Sequence, residues 1–472
     1  MTTSIKADLC IIGAGSGGLS VAAGAAQMGA KVVLVEGAEM GGDCLNVGCV
    51  PSKALLAAAA QAQTVRAGGM GIAGMPPQVD YAGAMAHVQA TIAAIAPHDS
   101  QQRFEGLGVH VIRAWGRFVG PDALEAGEAL VSARRFVIAA GSRPAVPGIP
   151  GLKGVPYLTN ETLWALRELP AHLLVLGGGP LGMEMAQAHR RLGSRVTVLD
   201  GGRALGRDDP EAAAVVLDAL RAEGVEIVEG VRITRASGRA GAISLQTADG
   251  RSFEGSHLLV AAGRAPNVER LNLPAAGVKT GARGIVTDSR LRTSNRRIFA
   301  IGDIAGRGQF THLAGYHAGL VVRQALFALP ARLRDDHIPR ATYTDPGLAQ
   351  IGLTEAEAHK QHGARVTVVK VPVSGNDRAL AQGHRDGFVK LIVHRGRPVG
   401  VTIAAPEAGE IIAPFALGIA ARLKLSAYTS AVYPYPTLSE LSKRAASAYF
   451  SPKLFGNPWV KRAVRLIQRL LP

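Results

Sequence analysis

The strongest constraint on the fold is a pattern that occurs twice: an apolar run, a turn with three spaced glycines, a helical stretch, and a return strand ending in an acid. In the first copy Leu9 to Ile12 leads into Gly13-Ala-Gly15-Ser-Gly17-Gly18, and Lys31 to Glu36 returns. In the second, Leu173 to Leu176 leads into Gly177-Gly-Gly179-Pro-Leu-Gly182, and Arg195 to Asp200 returns. The spacing from first glycine to acid is 36 − 13 = 23 in one copy and 200 − 177 = 23 in the other, which unrelated glycine loops would not share. Each copy reads as a βαβ unit of the dinucleotide-binding kind. Gly13 and Gly177 allow the tight turn, Gly15 and Gly179 let a pyrophosphate reach the helix N-terminus, and Gly18 and Gly182 let helix and strand pack closely. Glu36 and Asp200 sit where a carboxylate accepts ribose hydroxyls. A later strand in each copy ends in Ala-Ala-Gly, at Gly141 and at Gly263. Two such sites in one chain imply two dinucleotides.

Between the first unit and Gly141 lies Gly41-Gly-Asp-Cys44-Leu-Asn-Val-Gly-Cys49-Val-Pro-Ser-Lys53, with two of the chain's 3 cysteines. Two thiols this close can close a small disulfide ring. On a regular helix five residues rise about 7.5 Å, beyond the usual Cα separation of about 4.4–6.8 Å across a bridge. The backbone is therefore expected to be distorted, with Gly42 and Gly48 permitting it. A strained, accessible disulfide is labile, which suits catalysis. Pro51 suits a first helical turn, and Lys53, one turn beyond Cys49, favours thiolate. A zinc site needs about four ligands, and the sequence offers no second cysteine pair. Cys10, inside a strand, reads as a core residue.

Hydrophobic residues make up 47% of 472, enough for several packed cores. The net charge of +16 invites a nucleic-acid reading. Aromatics at 5%, with no basic–aromatic interleaving, turn that into a solvated basic surface. Met1 to Asp8 is short and polar, and the apolar run Ile411 to Ala421 is broken by Pro414. With so few cysteines, the expected location is cytoplasmic.

On the cysteine stretch and the paired glycine turns, the chain resembles the flavin-dependent pyridine nucleotide–disulfide oxidoreductases. That resemblance implies an α/β fold with two Rossmann-like domains, for FAD and NAD(P), and a C-terminal α+β dimerisation domain. The expected segments are 1–147 and 276–334 for FAD, 148–275 for NAD(P), and 335–472 for the interface and a basic helical tail. It also implies a homodimer. Electrons would run from NAD(P)H through FAD to a Cys44–Cys49 disulfide, with Cys49 facing the flavin and Cys44 exchanging with the acceptor. Lys53 would lie near the flavin's reactive nitrogen, paired with Glu184, unless the two form an ordinary exposed pair. Gly116 matches a family position whose backbone touches FAD. Asp303, in Arg297-Ile-Phe-Ala-Ile-Gly-Asp303, either binds the ribityl chain or caps the next helix. Asp200 and Gly182 favour NADH over NADPH, with Arg203 and Arg207 close enough in sequence to offset this. Asp43, where relatives generally carry threonine, either raises the Cys44 pKa or caps its helix.

The chain departs from the thiol-disulfide members at Tyr435-Pro-Thr-Leu-Ser-Glu440. Tyrosine replaces the histidine that reaches into the other subunit, while Glu440, which orients that histidine, remains. A phenol with a reference pKa near 10 is a poor proton shuttle at neutral pH. Tyrosine here resembles the mercury-reducing members, yet their C-terminal cysteine pair is missing. Three readings follow: a reductase of a small disulfide-type acceptor, a metal-ion reductase, or a flavin-binding redox sensor with little turnover. Beyond Phe450, Val460, Ala463, Val464, Ile467, Leu470 and Leu471 follow helical spacing opposite Lys461, Arg462, Arg465 and Arg469. The expectation is a surface helix packed on its own protein, ahead of one lying on a membrane.

Overall fold

The computed structural model describes residues 3–471. The run Leu9 to Ile12 ends the strand Thr3–Ile12, which lies inside a seven-stranded sheet. Val32–Val35 flanks it on one side and Ala129–Ile138 on the other, both parallel. His110–Ile112 extends the parallel order outward, and Ile298–Ala300 adds beside Ala129–Ile138. Leu9, Cys10 and Ile11 are buried, as a strand covered on both faces requires. Farther along the chain, Gly116–Phe118 pairs antiparallel with Ala123–Ala126, while His110–Ile112 stays parallel.

The second unit repeats the strand order. Glu226–Val228, Arg195–Leu199, His172–Leu176 and His257–Val260 form a four-stranded parallel sheet. Beside it lies an antiparallel sheet of Ile233–Arg239, Ala242–Thr247 and Ser252–Gly255. The likeness reaches single atoms. Gly13 and Gly177 have φ of 105° and 112°. A Cβ on Gly18 would stand 1.8 Å from the Gly13 carbonyl oxygen, and one on Gly182 would stand 2.0 Å from that of Gly177. Hydrogen is the largest side chain either helix start can hold. The segments that follow the two Ala-Ala-Gly strands meet, Ser142–Pro144 pairing antiparallel with Arg264–Pro266.

The C-terminal region contains a five-stranded antiparallel sheet in the order Arg340–Thr342, Gly347–Gly352, Arg397–Ala405, Phe388–His394 and Val366–Pro372. Phe415 and Leu441, from the helices Ala413–Ala420 and Glu440–Phe455, join its core. The tail folds as the helix Pro458–Leu470, started by the Asn457 side chain accepting from the Trp459 N–H at 2.9 Å. Here the expectation of packing fails: none of its described residues is buried, and the helix adjoins the end of Glu440–Phe455 with its apolar side open. Among the described residues no helix is long and apolar enough to cross a membrane.

Candidate active site

The cysteine stretch cannot run as one helix, and it does not. Gly42–Asn46 is a short helix, Val47 and Gly48 break it, and Cys49–Ala67 begins anew. Gly41 and Gly42 take φ of 86° and 61°, conformations that cost glycine little. A Cβ on Gly42 would stand 2.8 Å from the Gly15 Cα, so the stretch lies hard against the first glycine turn. The carbonyl released at the break does not go unpaired. Val47 O accepts from Trp164 Nε1 at 3.0 Å and from Asn160 Nδ2 at 3.2 Å. All three cysteines are free thiols, with Cys10 in the core.

Cys49 starts one helix and its Sγ lies 3.3 Å from Oγ1 of Thr311, the first residue of the helix Thr311–Ala325. Two helix N-termini thus converge on one sulfur, an arrangement that favours thiolate. The Cys44 thiol donates to the Cys49 sulfur and, with Thr311 and the nearby Lys53 ammonium, lowers the Cys49 pKa to about 6 against the cost of burial. Cys44 moves the opposite way: as the donor of that hydrogen bond, partly buried and near Cys49 and Asp43, its thiol is pushed far up.

The helix Cys49–Ala67 packs against the second unit's helix Pro180–Leu192, with Ala54, Leu55 and Ala59 in one core with Met183 and Met185. That packing brings Lys53 Nζ within 2.7 Å of Glu184 Oε2. The carboxylate's other oxygen accepts from the Tyr343 N–H at 2.9 Å. Lys53 Nζ also stands 4.4 Å from the Tyr343 ring centroid. Glu184 is only 3% exposed, so it is a buried, fully engaged partner and not half of an exposed helix pair.

Asp43 does not cap its helix, whose N-cap is Gly41 without a side-chain bond. Its Oδ1 accepts from Arg264 Nη2 at 2.7 Å and from Asn160 Nδ2 at 3.1 Å. Arg264 Nε donates to Ser142 Oγ, and that hydroxyl donates to Asp303 Oδ2 at 2.5 Å. Asp303 does not cap the helix after it, and burial raises its pKa. Ser142 and Arg264 follow the two Ala-Ala-Gly strands, so the sequence marked their neighbourhood but not their bonds. Thr311 and Tyr343 are not among the residues that the sequence marks for the site.

Glu36 Oε2 accepts from the Ala14 N–H at 2.6 Å, and Asp200 Oδ2 from the Gly178 N–H at the same 2.6 Å. The other oxygens accept from Ala38 and Gly202. The helices Ser16–Gln27 and Pro180–Leu192 start at Gly15 and Gly179 without side-chain caps, leaving N–H groups free for an anion. A Cβ on Gly179 would meet nothing within 4 Å, and one on Gly15 only the Gly42 Cα at 3.9 Å. Both starts therefore have room for a pyrophosphate, and the residues fit two dinucleotides. Gly116 is buried beside Ile12, Val35 and Leu124, while Gly141 and Gly263 turn the chain at φ of 64° and 123°.

A cavity of about 360 Å³ opens on Cys44 and Thr311, with Ser16, Ser20, Asp99 and Arg103 in its wall. The remaining expectation is corrected. The Tyr435 hydroxyl, on an exposed side chain, donates to Asp377 Oδ2 at 2.8 Å and not to Glu440. Glu440 begins the helix Glu440–Phe455 and its Oε2 faces the Thr437 N–H at 3.5 Å. Asp377 begins a short helix 58 residues earlier, a distance no local pattern spans.

A dithiol held between two glycine-turn units defines a dinucleotide-dependent dithiol oxidoreductase of the α/β class. Residues 7–318 match the pyridine nucleotide-disulphide oxidoreductases and residues 338–446 their dimerisation domain. The chain belongs to this family, whose members are NAD(P)H-dependent flavoproteins. It is 37% identical to a mercuric reductase of Streptomyces lividans, over 94% of this chain and 96% of that protein. A mercuric reductase of Acidithiobacillus ferrooxidans is 35% identical, over 93% and 82%. Among solved structures, the HOCl-induced flavoprotein disulfide reductase RclA from Escherichia coli superposes with a TM-score of 0.83 at 28% identity, covering 93% of this chain and 99% of that one. LpdA from Mycobacterium tuberculosis gives 0.86 at 26%, covering 94% and 99%.

Proposed function

We propose that the protein is a homodimeric, FAD-dependent NAD(P)H oxidoreductase in which Cys44 and Cys49 deliver an electron pair to a small disulfide-type acceptor. Bound FAD supplies the two-electron link between nicotinamide and sulfur; Gly13, Gly15, Glu36, Gly116, Asp303 and Lys53 are the residues that would hold it. The observation that carries the reading is the placement of the two thiols: Cys49 lies where the starts of Cys49–Ala67 and Thr311–Ala325 meet, while Cys44 lines the cavity. In the reduced pair, the Cys44 proton passes to the Cys49 sulfur as the Cys44 sulfur attacks one sulfur of the acceptor disulfide, and the other sulfur leaves as a thiolate that takes that proton. Cys49, again a thiolate, then attacks Cys44 and displaces the second sulfur, which takes a proton from water, and the Cys44–Cys49 bond forms. Two electrons leave the pair and two reach the acceptor. The dimerisation domain supports the homodimer, and the need for NAD(P)H supports a cytoplasmic location.

NADH is the expected donor. Asp200, held by the Gly178 and Gly202 N–H groups, suits a free 2′-hydroxyl and repels a 2′-phosphate. A second reading takes a soft metal ion as the acceptor. Tyr435 in place of an imidazole favours it, as does the 37% identity to a protein named mercuric reductase. There the two electrons would reduce Hg²⁺ to Hg⁰.

Steady-state NADH and NADPH consumption with lipoamide, glutathione disulfide, quinones and Hg²⁺ tests both readings, in wild type and Cys44→Ser. The expected result is one acceptor class turned over with NADH and lost in Cys44→Ser. Turnover that survives Cys44→Ser for every acceptor would remove the dithiol from the path. A higher kcat/KM for NADPH would overturn the donor assignment.

A further inference from the structure

We propose that the helix Pro458–Leu470 is a membrane-surface anchor that lays its apolar side into an anionic lipid bilayer. At about 100° per residue, every apolar residue from Trp459 to Leu470 falls on one arc of about 160°. Lys461, Arg462, Arg465, Gln468 and Arg469 fill the rest, with no mixing of the two sides. The apolar arc is open: Trp459 is 73% exposed, Leu466 58% and Leu470 71%. Phe455, 66% exposed, continues it at the end of the preceding helix. In solution this arrangement leaves large side chains in water that an interfacial site would cover.

Charge selects the occupant. From Leu441 to Pro472 the chain has no acidic residue, while Lys443, Arg444 and Lys453 add to the four cations of the helix. Two copies of this helix packed apolar side to apolar side would leave the cationic side of each without a counter-charge. A bilayer containing anionic lipid offers the opposite sign along the whole polar side, together with an apolar layer for the other. Trp459 suits the headgroup boundary between them, and the Arg462 guanidinium lies 5.1 Å from its ring centroid. The helix is too short to span a bilayer and lies on it instead.

The test is co-sedimentation of the full-length protein with vesicles of phosphatidylcholine alone or with added phosphatidylglycerol. Binding is expected only with the anionic vesicles, and it weakens as salt rises. Each of Lys461→Gln and Arg465→Gln should lower partitioning about fivefold. Leu466→Glu with Leu470→Glu should abolish it and leave NADH consumption unchanged. A blue shift in tryptophan emission on binding should vanish in Trp459→Phe. Three results would each overturn the proposal: no binding to anionic vesicles, equal binding by the Leu466→Glu/Leu470→Glu variant, or loss of the dimer in that variant. The last would assign the apolar side to a second copy of the chain.

Discussion

Cys49 draws its low pKa from groups that lie far from it in sequence or turned toward it by the helix break. The shift is downward, from an ordinary thiol near 9.0 to about 6, so the sulfur is thiolate above that pH and protonated below. In the reduced protein, alkylation of Cys49 by iodoacetamide should rise through pH 6 and then level off, followed by peptide mass spectrometry. Cys44, pushed the other way, holds the pair's proton, so its alkylation should be slower than that of Cys49 at neutral pH. Lys53→Gln removes a charge that lowers the pKa and should move the inflection upward. An inflection near 9 in wild type would show that the pair is not coupled. At Tyr435 the structure changes the expected partner but not the expected chemistry. Asp377, 2.8 Å from the hydroxyl, is positioned to orient an imidazole in Tyr435→His. Disulfide reduction should then rise, since a matched acid–base group typically contributes about 10²–10⁴-fold. Wild-type turnover of lipoamide at about 10 s⁻¹ or more, an ordinary enzyme rate, would show that the phenol suffices. The cysteines and Lys53 were legible because their motif is local. Thr311, 262 residues from Cys49, was not, because only the folded sheet brings it there.

The two glycine turns separate binding from packing, position by position. Gly15 and Gly179 have extended backbones that any residue adopts, with φ of −82° and −76°, and open space where a Cβ would go. Gly18 and Gly182 have a carbonyl oxygen at 1.8 and 2.0 Å from that point. Gly15→Ala should therefore fold with little change in Tm and purify with reduced flavin. Gly179→Ala should keep its flavin and lose nicotinamide affinity, read as a raised KM for NADH. Gly18→Ala should lose stability instead, by about 1–3 kcal/mol for an overpacked contact, read by thermal unfolding. Gly15→Ala with full flavin would remove that turn from the binding site. Strand order and turn chemistry were readable here because both are set within about 30 residues, the span of one βαβ unit. The tail shows the limit: its helical period is in the sequence, but what covers its apolar side is not.

On the scale of the molecule, the second glycine-turn unit and the C-terminal sheet are joined by a buried cation that sequence alone does not reveal. Lys390 sits in the strand Phe388–His394, in an otherwise apolar run that gives no reason for a lysine. It is 2% exposed, and its Nζ lies 2.9 Å from Asp209 Oδ2, 2.7 Å from Glu211 Oε1 and 3.0 Å from Glu355 Oε2. Asp209 and Glu211 belong to the start of the helix Pro210–Ala222, and Asp209 also caps it. Burial alone would neutralise a lysine, but the hydrogen bonds to the three carboxylates outweigh that and raise its pKa. Removing one partner of such a group typically costs about 3–5 kcal/mol. Lys390→Met leaves Asp209 buried without its cation, although the helix N–H groups still engage it, so the lower end, about 3 kcal/mol, is expected. The loss should appear as a lower urea midpoint, with hydrogen exchange rising first in Pro210–Ala222 and Phe388–His394. The cluster also has a pH signature. Glu211, held by Lys370 and Lys390, titrates at about 2. A depressed carboxylate stabilises the fold above its ordinary value near 4.5 and loses that contribution as pH falls toward 2. Wild type should thus lose stability relative to Lys390→Met across that window, and the two urea midpoints should converge. A constant gap between them down to pH 3 would mean that the lysine acts through packing and not through charge.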